Sequence, residues 1–194
     1  MKQLVLASAS PRRREILGNL GLSFEVQPAD IEETRAPGEL PSAYVARLAR
    51  EKAQAVARTR GADAAVLAAD TTVVLDDHVL EKPRDRADSE RMLRLLRGRT
   101  HQVHTGVCLL LWPERALSQL TVTTAVRFRD FDDATLRGYV ASGEGLDKAG
   151  SYGIQALGQA LVSEIHGSYT NVVGLPAAET IELLLNAKVL EAWP

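Results

Sequence analysis

The order of apolar and polar positions predicts that the chain opens with a strand, a tight turn and a helix. Residues 4–8 form an apolar run typical of a buried strand. A segment with one apolar helical face follows and ends at Gly21, a residue that often terminates helices. Between the two, Ser10 fits a helix N-cap and Pro11 fits the first helical position.

The same rules predict further elements along the rest of the chain. Strands are predicted at 24–26, 65–75, 79–80, 103–112, 120–128 and 161–165, and helices at 42–58, 89–97, 132–140 and 176–188. Ser42 and Asp132 are the predicted N-caps of two of these helices, and Gly98 ends a third. The mixed order predicts an α/β fold with a mixed, twisted sheet flanked by helices. The length fits one domain over 1–194, with room for two lobes.

Composition narrows the functional classes. The 23 Lys and Arg and 25 Asp and Glu give a net charge of −2, which does not suit a nucleic-acid binder. No apolar run approaches the roughly 20 residues that span a bilayer, and the N-terminus lacks a signal-peptide pattern. The single cysteine, Cys108, lies in an apolar run and fits a core position in a reducing compartment. We therefore expect a cytoplasmic protein without membrane or nucleic-acid partners.

The predicted turn before the first helix has the composition of an anion site. A helix N-terminus offers unpaired N–H groups and the positive end of the helix dipole, which together suit a phosphate. Ser8 and Ser10 add hydroxyl donors. Arg12, Arg13 and Arg14 place positive charge in the first turn, where it disfavours the helix by itself. Two interpretations stay open, a phosphate site and a capped surface helix with solvated arginines.

Asp70 interrupts the apolar strand predicted at 65–75. A carboxylate in such a strand is costly unless it is paired or bound to a metal, so we favour a functional role for Asp70 over a structural one. Glu32 and Glu33 lie in a polar loop, where acidic residues are usually solvated. Together with Asp70, this loop could complete an oxygen-ligand site for Mg²⁺.

Three further polar residues have both a functional and a structural interpretation. Lys52 shares a helical face with apolar residues, and its aliphatic stem could simply pass along the core to reach water. Lys82 follows the predicted hairpin, where a surface lysine is the ordinary outcome. Gln155 ends the glycine-rich segment 147–155 and carries the donor and acceptor groups that read a base edge, although an ordinary structured loop fits as well.

Several short motifs occur in order along nearly the whole chain. They are Leu6-Ala7-Ser8-Ala9-Ser10-Pro11-Arg12-Arg13, Glu32-Glu33, Leu48-Ala49-Arg50-Glu51-Lys52-Ala53, Ala68-Ala69-Asp70-Thr71, Lys82-Pro83, Asp147-Lys148-Ala149-Gly150, Tyr152-Gly153-Ile154-Gln155 and Val173-Gly174-Leu175-Pro176. Together they resemble the Maf family of nucleotide pyrophosphatases. The resemblance implies an elongated mixed α/β fold of the Maf/ITPase-like kind with a central cleft. It also implies that the protein can form a homodimer, as proteins of this family often do.

The resemblance also implies a metal-dependent enzyme that uses Mg²⁺ or Mn²⁺ to cleave nucleoside triphosphates into the monophosphate and pyrophosphate. By this resemblance, Asp70 is the catalytic proton acceptor, and Glu33 and Asp70 hold the metal. The residues expected to bind the substrate phosphates are Ser8, Ser10, Arg13, Lys52 and Lys82. The positions that separate subgroups are Arg12, Thr71 and Gln155, and these three side chains resemble the subgroup that acts on dTTP and UTP.

Alternatives remain at this stage. A sister subgroup acts on 7-methyl-GTP but has tryptophan, glutamine and glutamate at the three subgroup positions. The family is also linked with septum formation and cell division, so a nucleotide-binding regulator without essential catalysis is a second alternative. The sequence leaves open whether Asp70 is a general base or a metal ligand. It also leaves open whether CTP and modified pyrimidine nucleotides are substrates, and whether the role is nucleotide house-cleaning or control of division.

Overall fold

The computed structural model describes residues 2–60 and 63–193. The strands are β1 (Gln3–Leu6), β2 (Glu25–Val26), β3 (Ala64–Leu75), β4 (His78–Leu80), β5 (Thr100–Trp112), β6 (Ala116–Phe128) and β7 (Val162–His166). The helices are α1 (Pro11–Asn19), α2 (Pro41–Arg58), α3 (Arg86–Leu96), α4 (Asp133–Ser142), α5 (Tyr169–Val173) and α6 (Ala177–Asn186). Short 3₁₀ turns cover Ala149–Ser151 and Leu157–Leu161.

The strands form a mixed sheet in the order β2-β1-β3-β5-β6-β7, with β4 paired to β3. β1 runs parallel to both β2 and β3, and Leu6 lies opposite Leu67. β4 pairs antiparallel with β3, and β7 pairs antiparallel with β6. The predicted mixed α/β architecture is confirmed, whereas the central cleft stays a prediction. No helix in the described ranges is long and apolar enough to cross a membrane.

The described residues group into two compact units. The first unit comprises the described residues of 1–70, 105–122 and 174–194, and the second unit comprises 71–104 and 123–173. The first unit carries α1, α2 and α6, and the second carries α3, α4 and α5. β3, β5 and β6 contribute residues to both. The single domain expected over 1–194 stays a prediction, and residues 1, 61, 62 and 194 lie outside the described ranges.

A stripe of alanines attaches α2 to the sheet of the first unit. Ala49, Ala53 and Ala57 follow one another at intervals of four, so they share one helical face, and all three are buried. They pack in one core cluster with Val66 and Cys108, and their small side chains let the helix approach the strands closely. Cys108 is fully buried, which confirms the predicted core position, and burial raises the pKa of its thiol to about 12.

The predicted starts of α2 and α3 are wrong, whereas those of α1 and α4 are confirmed. α2 begins at Pro41 with Leu40 as the preceding residue, so Ser42 lies inside the helix rather than capping it. The N–H groups in the first turn of a helix have no partner within the helix. Proline has no N–H group, so it suits the first helical position. For α4, the side chain of Asp132 accepts a hydrogen bond from the Thr135 amide at 2.8 Å, as expected of an N-cap.

α3 begins three residues earlier than the predicted start at residue 89. Its first residue is Arg86, and the side chain of Asp85 accepts a hydrogen bond from the Asp88 amide at 2.8 Å. Aspartate is a strong N-cap residue, which favours this earlier start. The short helix α5 was not predicted.

Gly106 in β5 gives a direct test of the close packing of α2. A Cβ atom at this position would overlap the carbonyl oxygen of Val45 and lie 2.7 Å from the amide nitrogen of Ala46. The backbone of α2 cannot yield cheaply, so Gly106→Ala should lower the free energy of unfolding by about 1–3 kcal/mol. Gly138→Ala in α4 is the control, because a Cβ atom added there would have nothing within 4 Å. This substitution should raise the free energy of unfolding by about 0.5–1 kcal/mol. Urea unfolding measures both, and equal midpoints would contradict the packing.

Candidate active site

A buried lysine contacts two carboxylates in the first unit. The Nζ atom of Lys52 lies 2.6 Å from Oδ1 of Asp70 and 2.7 Å from Oε1 of Glu33. Lys52 and Asp70 are each 7 % exposed, whereas the side chain of Glu33 is 46 % exposed. Pairing offsets the cost of removing these charges from water. The ammonium of Lys52 therefore ends at these carboxylates instead of passing along the core to solvent.

Neighbouring elements bring this group together. Asp70 lies in β3 and Lys52 lies in α2, on a face next to the alanine stripe. β1 runs beside β3, and the Ala7 amide donates to the carbonyl of Leu67 at 2.8 Å. The turn that carries Ser8 therefore leaves β1 next to the part of β3 that leads to Asp70.

The first turn of α1 contributes a buried arginine. Arg13 is 9 % exposed, and its guanidinium donates to the carbonyl of Gly174 at 2.8 Å and to the hydroxyl of Ser8 at 3.1 Å. Burial lowers the pKa of Arg13, and the negative charges of Asp70 and Glu33 act in the opposite direction. Arg13 therefore lies within electrostatic reach of both carboxylates, and the solvated-arginine interpretation is wrong for this residue.

The other residues of the opening turn differ in exposure. Arg12 is half-buried and Arg14 is exposed. Ser10 occupies the N-cap position as predicted, but among the described residues its hydroxyl makes no capping hydrogen bond. Instead, its amide donates to the hydroxyl of Ser8 at 3.2 Å. The hydroxyl of Ser8 thus accepts from both Ser10 and Arg13 and fixes the geometry of the turn.

Side chains from α2 hold the loop that carries Glu33. The hydroxyl of Tyr44, a buried residue, donates to the carbonyl of Glu33 at 3.1 Å. Arg47 donates to the carbonyl of Thr34 at 3.0 Å and pairs with Glu39 at 2.7 Å. Hydrogen bonding from Arg47 lowers the pKa of Glu39 to about 2, so the Arg47–Glu39 pair is charged at neutral pH. Sequence patterns did not assign Tyr44 or Arg47 to the site; the one available signal was a tyrosine on a buried face, whose hydroxyl needs a partner.

The two carboxylates suit a divalent cation. Oxygen atoms of Glu33 and Asp70 converge on one point that already carries the positive charge of Lys52. Mg²⁺ commonly binds one or two carboxylates and takes its remaining ligands from phosphates and water. Among the described residues no group of three or more His, Cys, Asp or Glu could hold a metal, so a metal at this point would need ligands from outside the chain.

The second unit carries the remaining predicted site residues. Thr71 follows Asp70 directly in β3 and is half-buried. Lys82 is exposed just after β4, and Gln155 is exposed in a turn between the two 3₁₀ turns. The roles of these three residues stay predictions.

Comparison with known proteins decides the family. The profile described as Maf-like protein matches residues 3–187. The chain belongs to the Maf family. Curated Maf relatives include a dTTP/UTP pyrophosphatase from Escherichia coli O157:H7, 53 % identical over 98 % of this chain and 95 % of its own length. A dTTP/UTP pyrophosphatase from Anaeromyxobacter dehalogenans (strain 2CP-C) is 52 % identical over 98 % and 97 % of the two chains. A nucleoside triphosphate pyrophosphatase from Shigella flexneri is also 52 % identical, over 98 % and 95 %.

A solved structure resembles this Maf chain more distantly. It is a nucleoside-triphosphatase / dITP/XTP pyrophosphatase from Mycobacterium abscessus, with a TM-score of 0.45 and 15 % identity. The alignment covers 96 % of this chain and 94 % of the other. A likeness of this size supports no inference about function.

The Lys52–Asp70 pair has a measurable energetic signature. Lys52→Met should lower the free energy of unfolding by about 3–5 kcal/mol, because Asp70 then keeps a buried charge without its partner. Adding Asp70→Asn should restore more than half of this loss, because a neutral amide needs no counter-ion. Urea unfolding of the wild type, both single variants and the double variant measures the coupling. Additive effects of the two substitutions would contradict direct pairing.

Proposed function

We propose that this Maf protein hydrolyses nucleoside triphosphates to the monophosphate and pyrophosphate, with dTTP and UTP as its main substrates. CTP and modified pyrimidine nucleotides complete the proposed substrate range. The observation that carries the proposal is the buried ammonium of Lys52 in contact with Asp70 and Glu33, within reach of the charge of Arg13. The names of relatives that are 52–53 % identical over nearly the whole chain support the same activity.

Triphosphate cleavage requires neutralisation of several negative charges and an attacking water held in line. In this proposal Arg13 and Lys52 bind phosphate oxygens, and the amides and hydroxyls at the start of α1 add neutral donors through Ser8 and Ser10. Lys82 takes a further phosphate oxygen. Glu33 and Asp70 would hold Mg²⁺ or Mn²⁺, which when bound supplies positive charge to the triphosphate.

Asp70 accepts the proton of the attacking water. Lys52 contacts Oδ1 of Asp70, which leaves Oδ2 as the oxygen that takes the proton. The water oxygen bonds to the α-phosphorus, the bond from the α-phosphorus to the bridging oxygen breaks, and pyrophosphate leaves with both electrons of that bond. In this step Lys52 orients Asp70 and offsets negative charge around the incoming triphosphate.

The base specificity of the proposal depends on Arg12, Thr71 and Gln155. The side-chain amide of Gln155 has one acceptor and two donors, which complement the O4 and N3–H edge of thymine and uracil. Both bases present the same edge, so dTTP and UTP are expected to be used about equally well. Arginine and glutamine at positions 12 and 155 disfavour the 7-methyl-GTP alternative.

Asp70→Asn tests the catalytic assignment. We expect turnover of dTTP to fall by at least about 100-fold, the contribution typical of a general base, while dTTP still binds measurably. Release of pyrophosphate in the presence of Mg²⁺ or Mn²⁺ measures turnover across a panel of nucleotides. EDTA should abolish this release.

Asp63→Asn is the matched control. Asp63 lies just before β3, and its side chain is 73 % exposed, so its loss should leave turnover unchanged. Wild-type turnover in Asp70→Asn would remove Asp70 from the mechanism. If the wild-type protein binds dTTP but releases no pyrophosphate, the proposed hydrolysis is refuted. The alternative of a nucleotide-binding regulator is then favoured.

A further inference from the structure

The segment that carries Gln155 is a closed loop in the second unit. We call residues 153–158 the glutamine loop. Its two ends touch, because a Cβ atom on Gly158 would overlap the carbonyl oxygen of Gly153. Between these ends, Gln155 is exposed, and Leu157 is 60 % exposed. The loop therefore presents side chains to solvent from a backbone that is closed tightly at its base.

Two side chains fasten the base of the glutamine loop. The hydroxyl of Tyr139 accepts a hydrogen bond from the Gly153 amide at 3.1 Å and donates to Oε1 of Glu144 at 3.1 Å. The same Oε1 accepts from the Gly158 amide at 3.0 Å, and Oε2 accepts from the Leu157 amide at 2.8 Å. One phenol and one carboxylate thus bind three backbone amides on the two sides of Gln155.

Tyr139 and Glu144, which we call the clamp, both come from the end of α4. Tyr139 is buried in the last turns of α4, and Gly143 ends the helix in a left-handed conformation with φ +74°. Glu144 follows directly, so its carboxylate turns back toward the glutamine loop. Burial raises the pKa of Tyr139, which keeps its hydroxyl as the donor to Glu144.

The energetics of the clamp favour a role in ligand recognition. Hydrogen bonds to a carboxylate are stronger than those between neutral groups. Here the first two amides of the 3₁₀ turn Leu157–Leu161 donate to the carboxylate of Glu144. An exposed side chain on a mobile backbone must be ordered when a ligand binds, which weakens affinity. A loop that is already fixed avoids that cost. The clamp thus matters most to the side chain at its centre, Gln155.

We propose that Tyr139 and Glu144 are positioning residues that hold Gln155 in the geometry for reading the pyrimidine edge. This inference rests on the proposed function and on the role of Gln155 in it. It assigns neither residue to the reacting atoms. The clamp should therefore affect substrate binding and base discrimination, while the chemical step continues.

Tyr139→Phe removes one hydroxyl and keeps the aromatic ring. We expect KM for dTTP to rise about tenfold, which corresponds to about 1.4 kcal/mol, while kcat stays within about threefold. The preference for dTTP over dGTP, measured as a ratio of kcat/KM values, should fall by a similar factor. Hydrogen exchange in residues 153–158 should become faster. Glu144→Gln should act in the same direction, because an amide cannot accept all three hydrogen bonds.

Matched controls are available in the same unit. Tyr169 is 47 % exposed, and the side chain of Glu164 is 57 % exposed, so Tyr169→Phe and Glu164→Gln should leave KM and the preference unchanged. In a Gln155→Ala background, Tyr139→Phe should cause no further loss of preference, because the residue that it positions is gone. A merely structural role would lower the preference equally in both backgrounds and would overturn the inference.

The outcomes separate the inference from the proposed function. Full discrimination in Tyr139→Phe, beside a wild type that releases pyrophosphate, overturns the clamp alone. A wild type that releases no pyrophosphate refutes the proposed function, and calorimetric binding of dTTP then decides the clamp. If Tyr139→Phe binds dTTP about tenfold more weakly and Tyr169→Phe does not, the inference about the clamp is supported. Unchanged binding of dTTP by Tyr139→Phe overturns that inference.

Discussion

An ammonium group buried within an α/β unit needs negative partners close by, and this requirement shapes the first unit. Lys52 meets it with Asp70 from β3 and Glu33 from the loop before α2. The contact with Asp70 requires α2 to lie near the sheet, and the alanine stripe and Gly106 provide that proximity. The contact with Glu33 requires an ordered loop, which Tyr44 and the Arg47–Glu39 pair supply.

The same arrangement suits a polyanionic substrate. A buried ion pair contributes little net stability compared with apolar packing, so its presence calls for another reason. In our proposal that reason is chemical: Lys52 orients the base, Arg13 and the start of α1 bind phosphate oxygens, and Glu33 with Asp70 offers oxygen ligands to a metal. The proposed base reading uses Arg12 from the first unit and Thr71 and Gln155 from the second, where Tyr139 and Glu144 hold the loop that carries Gln155.

Local sequence rules predicted the parts of this protein whose causes are local. The spacing around Lys52, the position of Asp70 in an apolar strand and the start of α1 follow from periodicity, burial cost and proline geometry. The cap of α2 was predicted wrongly because Ser42 and Pro41 both suit a helix start, and the fixed geometry of proline decided between them. These rules could not find contacts between distant residues. Arg13 meets Gly174 across 161 positions, and Lys52 meets Asp70 across 18.

The central claim is that this Maf protein directs water to the α-phosphorus of a nucleoside triphosphate. The most direct test is a reaction of dTTP in ¹⁸O-labelled water, with the products analysed by mass spectrometry. Our account predicts that dTMP carries the label and that pyrophosphate, unlabelled, is the other product. Label in pyrophosphate, or release of orthophosphate and dTDP, would contradict it.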